Sequence, residues 1–148
     1  MKRAALRMVL GLACGLVLGA PVQADKVLAT KGVTAQAIDM GDPSKTVIGQ
    51  ALAYPRGKPV MKAYRITIPP GTATSLHLHG VNIFAYMLSG TLEVDYGSKG
   101  KKRYGPGQGF MEAVGWCHKG RAVGDAPAVL VGLYLGAPSL KNTTTCPE

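Results

Sequence analysis

The sequence predicts an all-β sandwich or barrel, and three observations carry that prediction. Outside the N-terminal segment, no apolar stripe at helical spacing persists for ten residues. Twenty glycines and ten prolines divide the chain at short intervals. Between those breaks, short runs alternate apolar and polar residues, which is the period of a half-buried strand.

The elements follow in order. Residues 25–45 mix short apolar pieces with turn residues at Gly32, Gly41-Asp42-Pro43 and Ser44, an arm with one or two short strands. Thr46–Tyr54 is a β-rich run ended by the turn Pro55-Arg56-Gly57. In Val60–Ile68, Lys62, Arg65 and Thr67 interrupt Val60, Tyr64, Ile66 and Ile68. Pro69-Pro70-Gly71 stops that strand, because proline has no ladder donor and glycine permits a sharp turn. Thr91–Tyr96 alternates again, Gly97–Gly100 turns, and Lys101-Lys102-Arg103 returns as the solvated side of a hairpin. The sharper alternative for that basic cluster is steering of an anionic ligand. Phe110–Val114 and Trp116–His118 are further β segments around Gly115, and Ala128–Leu135 is a continuous apolar strand.

The first residues have the order of a secretory signal: basic Lys2, Arg3 and Arg7, an apolar run Met8–Ala20, then Val22-Gln23-Ala24 before Asp25. A bilayer span needs about 20 apolar residues, so the expectation is cleavage of residues 1–24 and a periplasmic or secreted product. Residues 25–148 then make one domain, with its core over about 46–136. The formal net charge is +9; cleavage removes three cations and no acid, leaving +6. No recognition-helix pattern accompanies it, so nucleic acid is not an expected partner, nor is a membrane after cleavage. Of three cysteines, Cys117 and Cys146 remain in the mature chain. An oxidising compartment permits them to pair, with two free thiols as the alternative.

The chemistry gathers between Gly71 and Gly90. His77 and His79 are two of only three histidines, and residues i and i+2 of a strand face the same side. The third, His118, lies in a second Gly-rich stretch. Neutral imidazoles at these places suggest one metal site.

These stretches resemble the two motifs of the cupin superfamily. Gly71, then His77-Leu78-His79, then Gly90 has the spacing of the first. Gly107, through Glu112, to Gly115-Trp116-Cys117-His118 is similar to the second. The likeness spans roughly residues 60–135 and implies a small, single-domain exported cupin, a jelly-roll barrel of two antiparallel sheets. It implies a divalent metal at His77, His79 and His118, with iron, manganese, nickel, copper and zinc all left open. It also implies dimerisation through the sheets.

The sequence departs from that pattern at one ligand. The family's glutamate after the second histidine is replaced by Ile83, between Asn82 and Phe84. By strand parity Ile83 shares the face of the two histidines and Asn82 points away. Ala113 and Val114 stand where a proline is common, and Ala122 where an asparagine often lies. Glu112 is the candidate replacement, as fourth ligand or as acid–base group. An isolated carboxylate among apolar neighbours is costly to bury, and small exported cupins resemble this chain in carrying an acid there. The alternative is a Glu112 exposed on the outer sheet, or paired with Arg121 or a lysine. Cys117 faces opposite to His118 on an extended chain, which disfavours it as a ligand. Trp116 shares the parity of His118 and either packs or lines the pocket mouth.

The expected ligand is a small apolar or anionic molecule. The resemblance implies a metal-dependent oxidoreductase of dioxygenase type, with a non-catalytic small-molecule or metal-binding cupin as the alternative.

Overall fold

A computed structural model describes residues 35–147, and the unit that carries every described strand begins at Ala37. The expected signal segment (1–24), Cys14 and the start of the arm lie outside the described residues.

Among the described residues, nine strands form three antiparallel sheets. β1 (Val60–Ile68), β3 (Asn82–Ser89), β6 (Gly109–Met111) and β8 (Ala128–Gly136) make a four-stranded sheet in the order β1-β8-β3-β6. β4 (Thr91–Asp95), β5 (Lys101–Tyr104) and β7 (Lys119–Val123) make a three-stranded sheet in the order β5-β4-β7. The short β2 (His77–His79) pairs with β9 (Thr143–Thr145). Together they form a jelly-roll whose sheets do not close into a continuous barrel.

The inner faces of the two larger sheets meet in one core. Ile68, Ala85, Met87 and Leu130 from one side pack with Leu92, Val94 and Ala122 from the other, and Phe110 is buried between them. Alternation sets these faces: β3 runs Ile83 in, Phe84 half-in, Ala85 in. Gly90 alone joins β3 to β4, and its φ is +70°. A Cβ there would run into the Pro127 carbonyl, so glycine is required both by backbone and by space. Gly71, which ends the Pro-Pro stop after β1, also has a positive φ, +72°.

Most expected elements stand where alternation placed them, with three exceptions. Thr46–Tyr54 is not a strand. The chain turns at Gly49 (φ +85°) and makes only the isolated bridge Lys45–Ala51. The Thr46 N–H donates to Gln50 O at 2.8 Å, while the Gln50 amide donates to Val114 O and accepts from Val114 N. Local side-chain bonding has displaced the ladder, and the segment caps the sheet end near β6. Residues 35–45 likewise hold no strand. Trp116–His118 carries only the bridge His77–His118. Conversely, the polar tail contributes β9, which nothing in its alternation announces.

Lys101 and Arg103 lie on exposed β5, where Lys101 pairs with Asp95 (3.3 Å) and Arg103 with Glu93 (2.6 Å). The hairpin reading therefore holds for this cluster. Arg121 joins the same Glu93 at 2.8 Å, so it is not the partner of Glu112.

Candidate metal centre

His77 and His79 are the two ends of β2, and His118 is brought opposite by reciprocal backbone bonds between His77 and His118 at 3.0 and 2.8 Å. The three ring centroids stand 4.6–5.0 Å apart. One ligating atom from each ring lies within 4.8 Å of the others. His79 and His118 are buried and His77 is half-buried.

Each Nδ1 faces an oxygen. The Nδ1 of His77 meets the Ser75 carbonyl at 2.7 Å, and that of His118 the Trp116 carbonyl at 2.8 Å. The Nδ1 of His79 meets the Thr143 hydroxyl at 3.1 Å and the Asn142 carbonyl at 3.3 Å. A carbonyl can only accept, so His77 and His118 carry the proton on Nδ1 and keep the Nε2 lone pair free, and the Asn142 carbonyl favours the same tautomer for His79. Burial pushes all three histidines below their ordinary value, His79 to about 3. They are neutral at neutral pH, the state a metal requires.

Glu112 follows β6 directly, held by its own N–H donating to Ile83 O at 2.9 Å. Its side chain is buried and lines the same cavity as the histidines. Oε1 accepts the Ala113 N–H at 2.6 Å, and Oε2 lies 3.8 Å from His118 Nε2. Burial raises its pKa to about 7, against the opposing Ala113 hydrogen bond. Three neutral nitrogens and one adjacent carboxylate form a donor set suited to a first-row divalent ion.

The cavity, of about 90 Å³, is walled by apolar side chains including Ile66, Ile83, Phe110 and Leu130. Ile83 is buried there, in place of a carboxylate, and Asn82 turns away to bond Ala53 O. Trp116 packs against the core, its Nε1–H donating to Tyr96 O at 2.9 Å, and does not line the cavity. Cys117 does not line the cavity and stands at disulfide distance from Cys146, with Cα atoms 6.2 Å apart.

Two features escaped sequence reasoning. The Tyr96 and Tyr104 hydroxyls are buried without a hydrogen-bond partner among the described residues. Burial pushes the Tyr96 hydroxyl well above the ordinary tyrosine range, and Glu112 and Tyr104 beside it push it further up. Tyr134 lies edge-on to His79 at 5.8 Å and to Tyr64 at 5.3 Å. Its position within an apolar strand gave no sign of this.

A family model described as a cupin domain matches residues 64–134. A cupin-like protein from Thermotoga maritima aligns at 17% identity with a TM-score of 0.54, covering 60% of this chain and 65% of that one. A DMSP lyase from Ruegeria pomeroyi aligns at 24% identity and TM-score 0.51, covering 57% and 42%. An oxalate decarboxylase from Lactobacillus farciminis, solved as a formate complex, aligns at 18% and 0.50, covering 57% and 26%. The chain thus spans between 26% and 65% of the length of these proteins, and the likeness is one of fold. No curated protein sequence matches the chain. Motif spacing, strand topology and the matched domain agree, and the chain belongs to the cupin superfamily.

Proposed function

We propose that this is an exported cupin that holds one divalent transition ion on His77, His79 and His118 and acts as an oxidoreductase of dioxygenase type on a small organic substrate. The observation that carries the metal reading is the convergence of one ring nitrogen from each of three imidazoles, each ring held by an oxygen on Nδ1. Bound iron or copper would supply activation of dioxygen toward a coordinating substrate, whereas zinc, nickel or manganese would supply Lewis acidity. Export is supported by the basic-then-apolar N-terminus and by a cysteine pair at bonding distance.

The chain's own groups do the rest. Glu112, with a pKa near neutrality, can hold or release a proton at Oε2 beside His118. The apolar wall excludes water from that exchange. A non-catalytic binding role is favoured by one observation, Ile83 where a carboxylate ligand would stand. Oxygen uptake separates the two. Iron- or copper-loaded protein should consume oxygen in the presence of a β-diketone or a catechol, and His118→Ala should abolish that uptake. Fully loaded protein that consumes none with either class would leave the binding role.

A further inference from the structure

An open groove of about 690 Å³ adjoins the metal cavity and shares Ile66 and Tyr134 with it. The inner cavity is far below the roughly 300–1,000 Å³ of ordinary ligand sites. Any substrate of more than a few heavy atoms must therefore extend into the groove.

The groove's charge is one-sided. Lys62 of β1 and Lys141 before β9 line it on the face of Tyr64 and Ile66, Arg65 borders it from the opposite face of β1, and no acid lines it. Among the described residues, none of these three makes an ion pair, whereas Lys45, Lys101, Arg103 and Arg121 all do. The basic cluster visible in the sequence is paired at Lys101 and Arg103; this one is assembled from two separated segments and is not paired. Its other surfaces are apolar: Tyr64 and Leu140 are exposed there, at 47% and 41%. Tyr64, Tyr134 and His79 form an edge-to-face series leading from the groove to the metal centre.

We infer that the groove binds the anionic end of the substrate, and that the substrate class is a small organic carboxylate with an apolar or aromatic body. The carboxylate meets Lys62 and Lys141, the body lies along Tyr64 and Leu140, and the far end passes Tyr134 to the three histidines. The assignment rests on the reading of the three-His cavity as the working site, and an ammonium donates charge-assisted hydrogen bonds to a carboxylate.

The test uses zinc-loaded, ¹⁵N-labelled protein titrated with benzoate and with its neutral analogue benzamide, metal content being measured in every sample. Benzoate should shift amides along β1 and residues 140–143, bind about 10-fold or more tightly than benzamide, and lose that advantage as salt rises. The variant Lys62→Ala/Lys141→Ala should keep its zinc and lose the preference. Equal affinities for the two probes, an unchanged preference in the double variant, or zinc-bearing protein that binds no benzoate would overturn the inference. Benzoate preference in a protein that takes up no metal would instead sink the metal reading and leave the groove standing.

Discussion

Glu112→Gln is expected to remove from the metal-free protein a fall in stability of about 3 kcal/mol that the parent undergoes as pH rises from about 4.5 to above 7. The cause is burial, which raises the carboxyl from 4.5 to about 7 against its Ala113 hydrogen bond. Between those values the folded chain holds a proton that the unfolded chain has released. The stabilisation is thus fully present below about 4.5 and lost as pH rises through about 7. The three histidines work the other way. Their lowered pKa values mean that the unfolded chain binds protons first, so their contribution falls as pH drops below 6.5. Comparing parent with Glu112→Gln cancels the histidine contribution apart from the part of the His77 shift that Glu112 itself causes. Urea denaturation across this window should show the parent gaining on the variant as pH falls. A gap between the two that is independent of pH would contradict the buried, proton-holding Glu112.

Cys146→Ser is expected to cost about 3–4 kcal/mol of stability and about 10-fold in metal affinity. The two cysteines are 29 residues apart, which sets the loop that the bond would close. The metal effect follows from β9. Its three residues are all exposed and bury no side chain, so pairing with β2 and the Cys146 anchor hold it in place. Thr143 and Asn142 supply the only oxygens on His79 Nδ1 among the described residues. His77 and His118 instead use carbonyls two residues earlier in their own chain segments. Loss of the bond should therefore loosen one imidazole of the three. Thr143→Val should reproduce part of the affinity loss with little change in stability, as measured by chelator competition and denaturation. Full metal affinity in both variants would show that the tail does not position His79.

The sequence disclosed what period and punctuation encode. Val60–Ile68 was legible because alternation ran to a Pro-Pro-Gly stop. The shared face of His77, His79 and Ile83 followed from strand parity alone, and the absence of Cys117 from the cavity wall from the same rule. Thr46–Tyr54 misled because its apolar content was real but Gly49 and the Thr46–Gln50 contacts turned the backbone. β9 was illegible because Thr143–Thr145 has neither burial nor alternation. It pairs through its backbone with a distant strand, His79 and Thr143 being 64 residues apart. For Glu112, periodicity left pocket and outer face open, and packing after β6 resolved it toward the pocket. The groove cations were hidden by the fold's bringing Lys141 beside β1.

Whether His77, His79 and His118 together hold one metal ion is tested most directly by the metal content of tag-free protein lacking residues 1–24, beside His77→Ala and His118→Ala. The parent should carry close to one equivalent of a first-row transition metal. Each variant should lose at least about 100-fold in affinity, beyond what loss of a supporting group costs. Equal and negligible metal in all three proteins, each shown to be folded, would contradict the three-His site.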